Sequence, residues 1–288
     1  MGSPLNSAIN VMEINILVLG EETWVVDPGV TLYCEKDYSK VNIYHVHNKG
    51  LFYLRKDFSW VKIDGIIWRG QFESNSEKQK YILEIIKLSD VTCINHPDVT
   101  LNCSSNLSMY YALFKAKMPV LQKQISSFGK STLDFIEPDL PCVCKLGNYH
   151  MGYGKMLVRN SETWRDFIDT AVLLNEPITI EPYINYKVDI RCLYIGGQMK
   201  CIERKPNHWK ANVNPAEVIS YDAPKQLLEM TADFASAIGA DVIGTDWILD
   251  ENDNWKVLEC NTGPGLVNFE QDCRLINEIL LKRIDKKQ

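Results

Sequence analysis

Residues 244–266 read GTDWILDENDNWKVLECNTGPGL, and the rest of the chain is interpreted outward from them. Two apolar-rich runs, Gly244–Leu249 and Trp255–Glu259, flank the polar turn Asp250-Glu251-Asn252-Asp253-Asn254, which is the pattern of a β-hairpin. Folding about Asn252 sets Asp246 roughly opposite Glu259. Asn261 then leaves the same face of its strand as Glu259, because side chains alternate along a strand. Carboxylates converging there raise each other's pKa unless a cation intervenes. A hard divalent ion fits that need, and Mg²⁺ shares its remaining positions with water and phosphate. The competing reading is a surface hairpin with solvated acids. Gly263-Pro264-Gly265 forces a turn immediately afterwards.

At 288 residues the chain is long enough for a core divided among two or three lobes. Its net charge of −6 and lack of a basic tract disfavour nucleic acid as a partner. No apolar run approaches the roughly 18–20 residues of a membrane span, so no membrane partner is expected. The opening MGSPLNSAINVMEIN lacks the charged and apolar regions of a signal peptide, and Met12 reads as an alternative start. Nine scattered cysteines, several inside apolar runs, point to reduced thiols in a cytoplasmic protein. Cys142-Val143-Cys144 is too tightly spaced for a zinc knuckle.

Towards the N-terminus, Ile14–Gly20, Val41–Val46 and Leu51–Leu54 around the turn Asn48-Lys49-Gly50, Ile63–Trp68 and Val91–Asn95 read as strands, and Lys78–Leu88 as a helix from the helical spacing of its apolar residues Tyr81, Ile82, Ile85 and Ile86. That alternation predicts a small α/β lobe with a parallel sheet. Ligands of such sheets sit beyond the carboxyl ends of strands. Arg69 stands at one such end and reads either as a ligand group or as a surface arginine paired with an acid.

Further on, Asn106–Ala116 has helical character, and Met118-Pro119-Val120 stops it and begins a strand. Leu140–Leu146 is an apolar run carrying Lys145, a costly position without an anionic partner. Gly147–Lys155 is a glycine-bearing turn leading to a second strand, Met156–Val158. Strand, glycine loop, strand is not a Walker loop. It is a flap whose backbone amides approach phosphate, or else a plain hairpin with a charged tip. Ser161 is placed to cap a helix over Glu162–Leu174, whose inward stripe is Trp164, Phe167, Ile168, Ala171 and Val172. Strands follow at Ile178–Ile184, Cys192–Ile195 and Met199–Glu203. Helices follow at Pro224–Ile238, with Gly239 as its C′ residue, and at Phe269–Ile284. Arg191, Arg204 and Lys210 supply cations just ahead of the acidic hairpin. Cations for phosphate beside acids for Mg²⁺ make a nucleoside-triphosphate site.

Four ordered motifs, PCVCKLGNYHMGYGK (141–155), IEPYINYKVDIRCLYIGG (180–197), ERKPNHWKAN (203–212) and the 244–266 hairpin, resemble the ATP-grasp superfamily. The likeness is closest to the synapsin ATP-binding domain and the RimK-type glutamate ligases, and it covers roughly residues 95–268. It implies an α/β plus α+β protein: an ATP-grasp fold of two α+β lobes clasping ATP, behind a small Rossmann-like parallel α/β lobe. The expected divisions are 1–95, 96–175 for the lobe with the strand lysine and flap, and 176–288 for the lobe with the metal hairpin.

By that resemblance Lys145 contacts the nucleotide's phosphates, and the flap of His150, Met151, Gly152, Tyr153, Gly154 and Lys155 closes over them. Glu181, Pro182, Tyr183 and Ile184 look like the hinge that reads adenine, and Asp189 lies near the ribose. Arg191 and Arg204 match groups that stabilise the transferred phosphoryl, with Lys210 and Asn212 beside them. Asp246, Glu259 and Asn261 match the Mg²⁺ ligands, for two ions with Mn²⁺ as a substitute. The chain departs from the family at Asn106-Leu107-Ser108-Met109, where many members carry a second phosphate-contacting lysine; Lys115 and Lys117 lie further along.

The implied activity is an ATP-dependent carboxylate–amine ligase working through an acyl phosphate. The carboxylate and the amine come from an amino acid, a peptide or a metabolite, and the enzyme is expected to be a homodimer or homotetramer. Arg69 is the candidate for holding a substrate carboxylate, and Trp68-Arg69 is loosely similar to a strand-end motif of peptide-modifying members. The alternatives are a synapsin-like, non-catalytic ATP-binding module and an ATP-dependent kinase. Against the module, the chain has no long proline-rich tail, and it carries more phosphate-directed cations than binding requires.

Overall fold

The computed structural model describes residues 13–70, 77–121, 125–127, 136–149, 152–210 and 213–287, with backbone alone at 125–127. The N-terminal region is built on β1 (Ile14–Leu19), which pairs in parallel with β2 (Val30–Glu35) and β6 (Gly65–Trp68); β7 (Thr92–Ile94) completes the order β2-β1-β6-β7. Strands buried on both faces read as unbroken apolar runs, and alternation divides these residues between two layers. Leu17, Leu19, Ile66 and Trp68 meet helix α1 (Glu77–Ser89) through Ile82, Leu83 and Ile86. Ile16, Val18 and Ile67 face the other way, onto Cys273, Ile276, Leu280 and Ile284. Those four belong to the last helix, α6 (Phe269–Lys287), so the C-terminal helix covers the N-terminal sheet. Gly65 permits the close approach, because a Cβ there would stand 2.8 Å from Ile284.

Four expectations change here. The run Ile63–Trp68 is two strands, since Ile63 ends β5 (Trp60–Ile63) and Asp64 breaks away to accept a hydrogen bond from the Asn15 amide at 2.9 Å. The two strands expected at Val41–Val46 and Leu51–Leu54 are present as β3 (Ile43–Val46) and β4 (Gly50–Leu54), but with β5 they form a separate antiparallel sheet outside the parallel sheet expected for this lobe. Strand β2 went unnoticed because all six of its residues are half-buried and lack a contrasting pattern. Tyr81 is exposed and Leu83 is buried in its place, so the inward stripe of α1 is rotated from the apolar spacing that marked the helix.

The second sheet, β10-β9-β11-β8, joins β8 (Ile125–Ser127), β9 (Cys142–Leu146), β10 (Lys155–Val158) and β11 (Ile178–Pro182), all antiparallel. It is covered by α4 (Ser161–Leu174), whose Trp164, Phe167, Ile168 and Ala171 pack on Cys142, Cys144 and Ile180. The cap of α4 is Asn160, which accepts from the Thr163 amide at 2.8 Å, one position before the expected cap Ser161, which is the first helical residue.

The third sheet runs β14-β13-β12-β15-β16, from β12 (Tyr186–Ile195), β13 (Gln198–Lys205), β14 (Glu217–Ser220), β15 (Val242–Asp250) and β16 (Trp255–Asn261). Its core side packs on α3 (Asn106–Lys115) and α5 (Lys225–Ile238) through Met109, Leu113, Leu227 and Phe234, around Trp247. Short α2 (Pro97–Asn102) precedes α3. Gly239 ends α5 in the left-handed conformation, as its position predicted. Val120 makes only an isolated bridge with Val257, not the strand expected after Pro119.

Candidate active site

The cleft lies between the second and third sheets, and register explains which side chains meet in it. On the third sheet Arg191 pairs with Asp246, and Asp246 pairs with Glu259 across the next strand. One guanidinium and two carboxylates therefore form a row on adjacent strands. Asp189 lies two residues from Arg191 and faces the same way, as does Asn261 relative to Glu259. The opposition of Asp246 and Glu259 expected from the hairpin is observed, and a β-bulge follows between Asp246 and Trp247.

Each acid has a cation. Arg191 donates to both oxygens of Asp246, Nε to Oδ1 and Nη2 to Oδ2, each at 2.7 Å. Bidentate geometry of this kind is the strong form of the contact. The Asp246 carboxylate raises the Arg191 pKa further. Arg204 donates from Nε to Asp189 at 2.6 Å, and its Nη2 lies 3.3 Å from Asp246. Burial lowers the Arg204 pKa, but Asp246 and Asp189 outweigh it and the net shift is upward. Burial pushes Asp189 up to about 6, against the pull of Arg204.

Facing this row, Lys145 on β9 and Lys155 on β10 stand directly opposite each other. Like charges in that position destabilise a sheet. Each lysine has its own glutamate: Lys145 meets Glu181 of β11 at 2.9 Å, and Lys155 crosses the cleft to Glu259 at 2.9 Å. Burial would lower the Lys155 pKa, yet Glu259 beside it leaves it raised. Glu259 is held well below the usual carboxylate range, because Lys155 and Lys145 overcome the cost of its burial.

The glycine flap begins at Gly147 and returns at β10, with the Leu146 amide donating to the Gly154 carbonyl at 2.8 Å. Gly154 has φ +67°, and a Cβ there would press on the Leu146 carbonyl. Lys210 Nζ donates to the Gly152 carbonyl at 2.9 Å, tying the flap to the opposite lobe. Its pKa is lowered by burial and by the nearby Lys155. His150, Met151 and Asn212 lie outside the described residues.

Two connected hollows result. The smaller one has apolar walls from Leu121, Val143, Ile184, Ile248 and Leu258, with Tyr183, Tyr186 and Trp209, and is also lined by Lys145, Asp189, Arg204 and Asp246. The wider one continues past Lys155, Arg204, Lys210 and Glu259 to Asn106, Asn148, Tyr153, Arg191, Asn261 and Gly265. Glu181, Pro182, Tyr183 and Ile184, the expected hinge residues, border the first, and the Tyr183 amide is committed to the Pro141 carbonyl at 3.1 Å. At the position of the family's second lysine, the Asn106 side chain donates instead to the Gly147 carbonyl at 2.8 Å, and its backbone amide donates to Asn148 Oδ1 at 3.0 Å. Asn106 thus anchors the root of the flap.

Arg69 does not border either hollow, contrary to the expectation that it faces the cleft. Its side chain is only 3% exposed and lies 3.6 Å from Glu21. Its Nη2 donates to the Pro264 carbonyl, and the guanidinium sits over the Trp24 ring. Burial pulls its pKa down. The alternative reading, pairing with an acid, is nearer the observation, but the arginine is buried and its partner Glu21 half-buried.

The donor set suits a magnesium ion. Asp246, Glu259 and Asn261 offer oxygen alone from neighbouring register positions, the chemistry of a hard cation. Among the described residues no group of three or more His, Cys, Asp and Glu side chains converges as a metal site, and here two carboxylates and one carboxamide make up the set.

Sequence reasoning missed two partnerships. Glu181 was assigned to the hinge, yet its carboxylate neutralises Lys145. Asp189 was placed near a ribose, and it also holds Arg204. The signal for the first was present: a lone acid and a lone lysine in two apolar strands, each needing a counter-charge.

A family model described as the RimK-like ATP-grasp domain matches residues 104–283. The glutamate–LysW ligase ArgX of Sulfurisphaera tokodaii is 24% identical over 202 residues, covering 66% of this chain and 71% of that one. N-acetylaspartylglutamate synthase A of Mus musculus is 23% identical over 216 residues, covering 69% of this chain and 55% of that one. Among solved structures, a Chryseobacterium gregarium RiPP-associated ATP-grasp ligase, in complex with ADP and a leader and core peptide, superposes with TM-score 0.66 at 13% identity, covering 94% of this chain and 97% of the other. D-alanyl-alanine synthetase A of Vibrio cholerae gives TM-score 0.67 at 11% identity, covering 95% and 99%. No helix among the described residues is long and apolar enough to cross a membrane.

Proposed function

This chain belongs to the RimK-like ATP-grasp family, and on that premise we propose that it is an ATP-dependent carboxylate–amine ligase whose substrate carboxylate belongs to an amino acid or peptide. The observation that carries the reading is the row Arg191–Asp246–Glu259, facing Lys145 and Lys155 across a cleft whose smaller hollow has apolar walls. A nucleotide fits that polarity, with its base against the apolar walls and its phosphates among the cations.

The base lies between the aliphatic walls of Val143, Ile184, Ile248 and Leu258. The Tyr183 amide is engaged by Pro141, so the Ile184 amide is the hinge donor for a ring nitrogen. Lys145 and Lys155 exchange their glutamates for phosphate oxygens, and Asp189 lies near the ribose. The glycine flap closes over the triphosphate, drawn in by Lys210. Asp246, Glu259 and Asn261 would hold Mg²⁺, two ions with Mn²⁺ as a substitute, which neutralises phosphate charge and orients the γ-phosphoryl.

The reaction runs in two displacements. A substrate carboxylate oxygen attacks the γ-phosphorus and the bond to the β-phosphate oxygen breaks, giving an acyl phosphate and ADP. An amine then attacks the acyl carbon, phosphate leaves, and the amine loses a proton. Arg191 and Arg204, with Lys210 and Asn212 beside them, offset the charge on the equatorial oxygens, which is where catalysis of phosphoryl transfer chiefly arises. No side-chain nucleophile is required.

The test is ADP release across amino acids and peptides, with mass spectrometry of any product. Amide product formed with stoichiometric ADP and phosphate is expected. Tight ATP binding with no turnover on any of them, or a stable phosphorylated product, would overturn the ligase reading.

A further inference from the structure

Asn95 directly follows β7 and is 1% exposed. Its side chain forms four hydrogen bonds. The amides of Asp241 and Val242 donate to Oδ1, both at 2.8 Å. Nδ2 donates to the carbonyls of Val242 at 2.7 Å and of Thr262 at 2.8 Å. Two donors meet the oxygen and two acceptors meet the nitrogen, so only a carboxamide satisfies the position.

The partners of Asn95 are placed with consequence. Val242 opens β15, the strand of Asp246. Thr262 follows Asn261 directly, at the end of the strand of Glu259. One side chain from the N-terminal sheet therefore ties both arms of the acidic hairpin together. A second tie lies beside it. Arg69, at the end of the neighbouring β6, donates to the Pro264 carbonyl. Between these two ties, Gly263 lies flat on the N-terminal region: a Cβ there would be driven into the Arg69 carbonyl, with the Gly70 oxygen at 3.0 Å.

The geometry points to Asn95 and Arg69 as positioning residues that clamp segment 262–265 and so fix where Asn261 and Glu259 stand relative to Asp246. The N-terminal lobe is then part of the metal site's support, although none of its described side chains borders the cleft. This inference rests on the reading that those three residues hold magnesium. Supporting groups of this kind set metal affinity by holding the ligands in place, and their loss weakens binding by roughly 10- to 100-fold.

The experiment is titration of a fluorescent N-methylanthraniloyl-ADP with and without Mg²⁺, which needs neither a carboxylate substrate nor turnover. Three variants are compared with the wild type. Asn95→Asp keeps the shape but sets a carboxylate against two carbonyls. Gly263→Ala leaves both clamp side chains and lifts the segment off its seat. Arg69→Lys keeps the charge with a different reach and is the mildest. Leu83→Ala, on the buried face of α1, controls for lost stability alone.

The expected result is Mg²⁺-free affinity close to wild type, with the Mg²⁺ concentration for half-maximal strengthening raised roughly tenfold in Gly263→Ala and Asn95→Asp, and less in Arg69→Lys. Leu83→Ala lowers the melting temperature and leaves the Mg²⁺ dependence alone. Wild-type Mg²⁺ dependence in whichever clamp variants fold overturns the proposal, and so does equal weakening with and without the metal. A wild-type protein indifferent to Mg²⁺ overturns the metal assignment and the clamp's purpose with it, a failure distinct from the loss of clamping alone.

Discussion

Lys155 and Glu259 meet at 2.9 Å across the cleft, joining the flap hairpin to the acidic hairpin over 104 residues of sequence. Each is the other's counter-ion, and each is also wanted by the proposed ligands, Lys155 by phosphate and Glu259 by magnesium. Mg²⁺ and nucleotide arriving together satisfy both halves of the pair at once, which makes the pair an exchangeable contact.

Replacing Glu259 by Gln keeps the shape and a hydrogen-bonding oxygen while removing the charge. ADP release should fall roughly 100- to 1,000-fold, the scale for losing one preorganised electrostatic partner. Steady-state assays over a Mg²⁺ series check this; full turnover at saturating Mg·ATP would contradict the assignment.

Arg191 and Asp246 form the most complete ion pair of the site. Cutting the guanidinium away in Arg191→Met leaves the buried Asp246 carboxylate with the longer 3.3 Å contact to Arg204, and breaking a buried pair costs at most about 3–5 kcal/mol. A metal ion is an alternative counter-charge for Asp246. Thermal unfolding should therefore show Arg191→Met less stable than wild type, with added Mg²⁺ recovering more stability in the variant than in the parent. Recovery equal in both proteins would argue that magnesium does not reach Asp246.

Asp189 gives the site a pH dependence. Its pKa stands near 6, above the ordinary carboxylate value, because burial disfavours its charge. The folded state thus favours the protonated acid. Its contribution to stability is full below the unfolded pKa of about 4 and is lost as pH rises toward 6. Function runs the other way: below pH 6 the acid is neutral and Arg204 loses the anion that orients it. The profile of kcat/KM should carry an acidic limb near that pH, and Asp189→Asn should lower the plateau and abolish the limb. An unchanged limb in the variant would assign it to another group.

The hairpin was legible because three local signals agreed: alternating apolar residues, a five-residue polar turn, and acids spaced to share a face. The Lys145 strand was legible for a different reason, since a lysine within an apolar run demands an anion. What stayed hidden depends on distant partners. Nothing around Asn95 in sequence marks it as the meeting point of Val242 and Thr262, about 150 residues away. Arg69 looked like a ligand group because strand ends usually face ligands, yet α6 and segment 262–265 cover that end. The β3–β5 sheet was missed as a unit because its strands, read one at a time, resemble those of a parallel sheet.

Lys145 and Glu181 supply the last test, one that separates folding from binding. Both side chains are nearly inaccessible, and each neutralises the other at 2.9 Å. Lys145→Met alone takes away the cation 2.9 Å from the buried Glu181 carboxylate and should destabilise the lobe by up to about 3 kcal/mol. Adding Glu181→Gln removes that carboxylate's charge, so the double variant should regain most of the lost stability in a denaturant titration. Nucleotide affinity should not return with it, because the cation meant for phosphate is still missing. If the double variant recovered both stability and wild-type ATP affinity, Lys145 would be a structural residue only, and the phosphates would have to be held by Lys155, Arg204 and Lys210 without it.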